Sequence, residues 1–284
     1  MNAVIIDGQA IALKVRGEIT KLVSEAKARY GEVPGIAVVL VGDDVASQIY
    51  VASKEKVAVS AGMRSVILRL PASVSEKELL TVIEKLNYDT KIHGILIQLP
   101  LPEHINAAVI LSAVSPLKDV DGFHPQNVGK LYTGEKSFVP CTPLGIMKLL
   151  KEYGINLVGK RAVVIGRSNI VGKPMSALLL TADATVTICH SKTKDLPDVC
   201  READILVVAI GKARMITKDY VRDGAVVIDA GINRLNGRIC GDADFENLLD
   251  AVSAITPVPK GVGPMTIAML ISNTLQSFME NIKS

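Results

Sequence analysis

The 284-residue sequence has no tryptophan and only 4% aromatic residues, so it is poor in the flat side chains on which nucleobases stack. Neither sign of charge dominates: 32 Lys and Arg against 29 Asp and Glu leave +3. Without a long basic run, no nucleic-acid partner is expected. Cysteine is sparse as well. Cys141, Cys189, Cys200 and Cys240 include no C-x-x-C pair, which argues against a disulfide framework and against a thiolate metal site. His93, His104, His124 and His190 never recur at the helical spacing of a metal-binding face, and no metal is expected. No run approaches the ~20 apolar residues of a membrane span. The opening MNAVIIDGQAIALKVRGEI carries acidic residues and lacks the uninterrupted apolar core of a secretory signal. The expectation is a cytoplasmic protein with no membrane partner.

What is present is turn chemistry and short apolar runs. The chain holds 22 Gly and 13 Pro, with 49% hydrophobic and 21% charged residues, an ordinary inventory for a compact protein. Its length suits two domains or one large α/β domain. Apolar runs without polar alternation recur at residues 36–41, 95–99, 162–165, 185–189, 205–210 and 225–229. Such runs suit strands of a parallel sheet covered on both faces. Between them lie helical patterns. Ser75-Glu-Lys-Glu78 is a capping box, after which Leu79, Ile83 and Leu86 share one face. Thr142 and Pro143 read as the N-cap and first residue of a helix that stops at Gly154. Residues 115–143 mix Pro, Gly, Asn and Asp with few periodic apolar positions and read as the crossing between domains. TPVPKGVGP cannot be helix interior, and MTIAMLISNTLQSFMENI follows as a final helix. Alternating strands and helices predict an α/β fold with mostly parallel sheets.

Two sets of residues stand out. The strand at 161–165 runs into GRSNIVGKPMSALLL, where Gly166 and Gly172 flank a loop that ends at a helix start, with Pro174 as its first residue. A turn free of side-chain bulk at a helix N-terminus lets backbone N–H groups meet a pyrophosphate. The spacing is G-x-x-x-x-x-G instead of G-x-G-x-x-G, and an ordinary βα connection is the competing reading. The next strand ends in TICHSK, with no carboxylate to receive ribose hydroxyls. Arg167, Ser191 and Lys192 suit a ribose 2′-phosphate instead, which points to NADP over NAD, although singly each cation also suits a solvated loop. In the other half, Tyr50 and Lys54 lie four apart on one helical face. Gln98 ends an apolar run, where open α/β sheets bind ligands, and Asp121 sits in KDVDGFHPQN. A surface lysine and a strand-end cap are the plainer readings of Lys54 and Gln98.

Together, VGDDVASQIYVASKEK, GILIQLPLP, KDVDGFHPQNVGKL, PCTPLGIMKLL, GRSNIVGKPMSALLL and TPVPKGVGPMTIAML closely resemble the bifunctional methylenetetrahydrofolate dehydrogenase/methenyltetrahydrofolate cyclohydrolase family, in the family's order over nearly the whole chain. The resemblance implies a two-domain α/β protein, with an N-terminal catalytic, folate-binding domain over residues 1–139 and a Rossmann-type NADP domain over 140–263. A folate cleft would lie between them, and the helix at 264–284 would return to the N-terminal domain. The implied activity, in one-carbon metabolism, is NADP-dependent oxidation of 5,10-methylenetetrahydrofolate to 5,10-methenyltetrahydrofolate, and hydrolysis of that product to 10-formyltetrahydrofolate, by a homodimer. By motif, Lys54 is the catalytic lysine, Tyr50 packs on the folate ring system, and Gln98 and Asp121 orient substrate and tune the lysine. Leu99, Pro100, Pro259, Gly261 and Gly263 fall at positions bordering the folate. Gly166, Arg167, Ser168, Ser191 and Ile232 match cofactor contacts, with Gly172 and Thr142 beside them.

Hydride transfer needs geometry more than a base. Opening the methenyl cation with water moves protons, and a lysine serves there when desolvation weakens its hold on its own proton. A monofunctional dehydrogenase and a non-catalytic NADP-binding regulator are the rival readings. The joint presence of Tyr50, Lys54, Gln98 and Asp121 speaks against both. One departure stands out: the family's PVPGGVGP reads PVPKGVGP here, with Lys260 at the first glycine. A side chain is disfavoured there if the position needs φ > 0, so either the backbone tolerates it or the loop is shifted. Lys260 suits the acidic glutamyl tail of a folate, and equally a solvated loop.

Overall fold

The computed structural model describes residues 3–282; residues 1–2 and 283–284, the outer ends of the expected domain ranges, lie outside the described residues. In chain order the elements are β1 (Val4–Ile5), α1 (Gly8–Tyr30), β2 (Gly35–Val41), α2 (Val45–Ser60), β3 (Arg64–Leu70), α3 (Glu76–Tyr88), β4 (Gly94–Ile97), α4 (Ala107–Ala113), α5 (Pro125–Thr133), α6 (Cys141–Glu152) and β5 (Arg161–Ile165). There follow α7 (Gly172–Thr181), β6 (Thr185–Cys189), α8 (Leu196–Arg201), β7 (Ile205–Val208), β8 (Val226–Asp229), β9 (Asn233–Leu235), β10 (Arg238–Cys240), α9 (Phe245–Leu248), β11 (Ala254–Ile255) and α10 (Val262–Asn281). The chain forms two compact units, one made of Lys14–Val139 with the chain from Ile267 onward, the other of the chain up to Leu13 with Pro140–Thr266.

The first unit is built on a parallel sheet in the order β3-β2-β4. Strand β2 pairs on both sides, which is why its seven residues are apolar without alternation and all buried. Strand β4 ends at Ile97, earlier than the apolar run suggests: Gln98 N still donates to Val39 O at 2.9 Å, but Pro100 has no N–H with which to extend the ladder. Helix α3 begins with the expected capping box, Ser75 and Glu78 each bonding the other's backbone. Leu79, Ile83 and Leu86 then bury one face against Val39, Ile95 and Ile97, each burial contributing about 1.5–3 kcal/mol.

The later half of α10 is tied into this same unit. Asn273 Nδ2 donates to Val120 O at 2.8 Å, and Ser277 Oγ donates to His93 O at 2.6 Å. The stretch 115–143 is more structured than its composition suggests, since it contains α5. Pro125 is that helix's first residue, His124 caps it by accepting from Gln126 N, and Gly134 closes it in the left-handed region.

The second unit carries a six-stranded sheet in the order β1-β11-β8-β7-β5-β6, with every pair parallel. Strand β1 pairs with β11, Val4 opposite Ala254, so Val4 and Ile5 belong to this sheet and not to the N-terminal domain expected over 1–139. Two residues are too short a strand to show a period. Strand β6 lies at the sheet edge and is largely exposed, in contrast to the two-sided cover its apolar run implies. From β6 the chain crosses to β7 on the other side of β5, making the carboxyl end of β5 a topological switch point. Helix α6 starts at Cys141 with Pro140 in the cap position. Thr142 is therefore inside the first turn and is not the N-cap; its hydroxyl lies 3.0 Å from that of Thr266. Helix α7 starts at Gly172, which makes Pro174 its third residue, still within the turn where a missing N–H costs nothing.

Candidate active site and cofactor loops

In the first unit the site grows from the carboxyl ends of β2 and β4. Asp44 caps α2 by accepting from Ser47 N at 2.7 Å. One turn on, Tyr50 is exposed and Lys54, another turn later, is half-buried. Lys54 Nζ donates to Gln98 Oε1 at 2.9 Å, and Gln98 Nε2 donates to Leu99 O at 2.7 Å. Helix and strand end are thereby joined by the two residues with chemistry to offer. Leu99 is half-buried and Pro100 exposed beside them.

Asp121 is half-buried on the loop before α5. That loop is organised by Asp119, a residue the motif reading passes over. Asp119 continues the pairing of β4 through a parallel bridge to Ile95. Its carboxylate, 4% exposed, accepts from Phe123 N at 3.1 Å, His124 N at 2.8 Å and Asn127 Nδ2 at 2.8 Å. Burial nevertheless pushes this carboxyl up to about 6, the three bonds offsetting only part of the desolvation. The available signal was an aspartate placed four and five residues ahead of the amides that open a Pro-started helix.

In the second unit Gly166 leaves β5 with φ 125°, and a Cβ there would collide with Ala209 O. A Cβ at Gly172 would in turn collide with Gly166 O, so the long glycine spacing reflects two points of close backbone approach. Ser168 Oγ accepts from Val171 N at 3.1 Å, leaving its hydroxyl proton for another partner. At the end of β6, His190 and Thr193 close a turn through His190 N to Thr193 Oγ1 at 2.9 Å and Thr193 N to His190 O at 2.9 Å. The turn leaves Ser191 and Lys192 exposed at its tip, beside the exposed Arg167 of the neighbouring strand end. Ile232, after β8, is 49% exposed. A bare-backbone cradle at the switch point, flanked by cations and lacking a carboxylate at the strand end, fits a dinucleotide with an extra phosphate.

The 259–263 loop resolves the question of Lys260. It stands at φ 82°, so the backbone keeps a glycine-type conformation with a lysine in it, and its carbonyl accepts from Gln9 N at 2.9 Å. Gly261 is buried so closely against Gly8 that a Cβ on Gly8 would collide with Gly261 O. Pro259 and Lys260 are the exposed part of the loop, with Gly263 half-exposed.

Comparison with known proteins agrees with both halves. Residues 6–121 match the family model described as the tetrahydrofolate dehydrogenase/cyclohydrolase catalytic domain, and residues 140–282 match that of its NAD(P)-binding domain. The bifunctional protein FolD of Halalkalibacterium halodurans is 54% identical over 280 residues, covering 99% of this chain and 100% of the relative. The crystal structure of the bifunctional enzyme FolD from Campylobacter jejuni superposes with a TM-score of 0.97 at 50% identity, over 98% of this chain and 99% of that one. The Trypanosoma brucei methylenetetrahydrofolate dehydrogenase-cyclohydrolase, solved with NADP cofactor and an inhibitor, gives 0.96 at 39% identity over 100% of each chain. With two domain matches in order and full-length relatives, this chain belongs to the tetrahydrofolate dehydrogenase/cyclohydrolase family and is a bifunctional enzyme that uses NADP to oxidise 5,10-methylenetetrahydrofolate and then hydrolyses the methenyl product.

Proposed function

We propose that the two activities rest on separate residue sets, the folate chemistry on Tyr50, Lys54, Gln98 and Asp121 and the cofactor on the loops after β5, β6 and β8. The Lys54 to Gln98 hydrogen bond of 2.9 Å carries this reading, because it gives the amine a fixed direction. Tyr50, one turn earlier on α2, offers a flat face to the folate ring system, and the Asp121 carboxylate can accept paired bonds from a pterin amino group and ring N–H. Leu99, Pro100, Pro259, Gly261 and Gly263 border the folate in this reading. Backbone at Gly166 and Gly172, with the Ser168 hydroxyl, receives the pyrophosphate. Arg167, Ser191 and Lys192 receive the 2′-phosphate, and Ile232 and Thr142 lie along the rest of the cofactor. NADP, when bound, supplies the hydride acceptor for the methylene carbon.

Oxidation then asks the protein chiefly to hold donor and acceptor in register. Hydrolysis asks more. As water adds to the methenyl carbon, one proton must leave it; as the adduct opens, the C–N bond to N5 breaks, N5 takes a proton, and the hydroxyl gives up its own proton to water to become the formyl carbonyl that stays on N10. Lys54 accepts the first proton and returns one to N5, with Gln98 keeping the amine aimed. Lys54→Met is expected to cut cyclohydrolase turnover at least ~100-fold with the NADP Kd unchanged. Normal conversion of the methenyl substrate by that variant removes Lys54 from the role.

Among the described residues no helix is long and apolar enough to cross a membrane. The same reading takes the enzyme as a cytoplasmic homodimer whose partners are folate substrates, with no nucleic acid or membrane. A monomeric native mass in solution would remove the dimer.

A further inference from the structure

Asp242 lies outside every recognised motif, is 0% exposed, and carries four hydrogen bonds. Its Oδ2 accepts from Ile210 N at 2.7 Å and Gly211 N at 3.0 Å; its Oδ1 accepts from Lys212 N at 2.8 Å and from Asn233 Nδ2 at 2.8 Å. The three amides belong to the loop that leaves β7, and Asn233 follows Ile232 as the first residue of β9, where the loop that leaves β8 ends. Ala209, at the start of the first loop, is the residue whose carbonyl Gly166 approaches too closely for any side chain. Strands β5 and β7 are neighbours at the switch point, where open parallel sheets bind their ligands. One buried carboxylate thus ties the loop that adjoins the Gly166 turn to the chain leaving the next strand, β8.

The surroundings are shaped to keep it there. A Cβ at Gly231 would collide with the Asp242 carboxylate. A second buried carboxylate, Asp229, accepts from Asp242 N at 3.1 Å, Ala243 N at 2.8 Å and Gly231 N at 2.8 Å, which fixes the Asp242 backbone as well. Burying a carboxylate is costly unless its oxygens are filled, and apolar side chains would pack a core with less penalty. What apolar side chains cannot supply is two acceptor-only oxygens for a fan of successive amides.

We propose that Asp242 is a positioning residue for NADP, holding the loops after β7 and β8, Ile232 included, in the form that receives the cofactor. This rests on the reading that NADP lies over Gly166 and Ile232. Asp242→Asn tests it, because an amide has one donor end, so however it turns, two of the four donors face an NH2 group. The KM for NADP is expected to rise about ten- to hundredfold while the KM for methylenetetrahydrofolate stays within about twofold. Should that variant not fold, Asn233→Ala, which cuts only the tie to the second loop, is expected to raise the NADP KM several-fold with the same selectivity. An unchanged NADP KM, or equal rises in both KM values, overturns the proposal. Gly166→Val tells the two layers apart. If it loses NADP binding while the Asp242 and Asn233 variants keep it, only the positioning role falls; if it too binds NADP normally, the location of the cofactor falls with it.

Discussion

Lys54 Nζ donates to Gln98 Oε1 at 2.9 Å while Gln98 gives its own N–H to Leu99 O at 2.7 Å. The second bond sets the sense of the first: with the NH2 end held by a carbonyl, only the oxygen end faces the lysine. A neutral acceptor orients the amine without adding negative charge beside it. Gln98→Glu adds that charge and so favours the ammonium, which cannot accept a proton. Turnover of the cyclohydrolase step at neutral pH is expected to fall about tenfold, with the NADP Kd unchanged. Unchanged turnover would show that the proton is handled elsewhere.

Asp119 gives a pH effect on stability. Burial raises its carboxyl from the ordinary 3.8 to about 6, so the folded protein holds this proton more tightly than the unfolded chain does. Ionisation therefore opposes folding. The penalty is complete above pH ~6, shrinks as pH falls through that value and is gone near pH ~4. Asp119→Asn removes the titration. Between pH 7 and pH 5 the stability of the unaltered protein relative to this variant is expected to rise by about 1 kcal/mol in urea melts. Asp229 is raised in the same direction by burial, but it titrates in both proteins and cancels. A constant difference would mean that the buried carboxylate ionises without penalty.

These two residues also mark what a sequence reveals and what it hides. Strand β2 and helix α3 were legible because burial on both faces and on one face leave different periods in the residues themselves. Lys54 and Gln98 were legible as members of motifs, yet forty-four positions separate them, and nothing local says that they touch. Asp242 was not legible, and Asp119 only through its spacing ahead of a Pro-started helix. A buried carboxylate that accepts backbone amides looks, in one dimension, like any loop aspartate, since its partners are main-chain groups that every residue carries. Strand β1 was missed for another reason: its identity comes from β11, 250 residues away. Edge strand β6 kept an apolar run without the cover that such a run implies, because exposure depends on which strand the chain placed beside it.

Cofactor choice is testable at the tip of the turn after β6. Ser191 and Lys192 are exposed there, next to Arg167, and His190 holds the turn by accepting from Lys192 N at 3.1 Å. Ser191→Asp puts a carboxylate where the 2′-phosphate is proposed to sit, repelling that group and offering an acceptor to free ribose hydroxyls. The ratio of kcat/KM for NADP to that for NAD is expected to fall at least ~10-fold, a change worth about 1.4 kcal/mol. An unchanged ratio would place the 2′-phosphate elsewhere.

Lys260 holds a φ of 82°, a conformation that costs a side-chain-bearing residue about 1–2 kcal/mol. Glycine relieves that cost but gives back about 0.5–1 kcal/mol through the freedom of its unfolded state. Lys260→Gly is therefore expected to stabilise the protein by about 0.5–1 kcal/mol, since its carbonyl bond from Gln9 N is a backbone interaction that survives the change. The exposed side chain has no strain-relieving role, which leaves two uses for it. If it is merely solvated, the folate KM stays within about twofold and does not respond to salt; if it meets the glutamyl tail, the KM rises, more for a longer tail and less at high ionic strength. Exposure favours the first outcome, and KM values for substrates with one and several glutamates, measured on both proteins at two salt concentrations, decide between them.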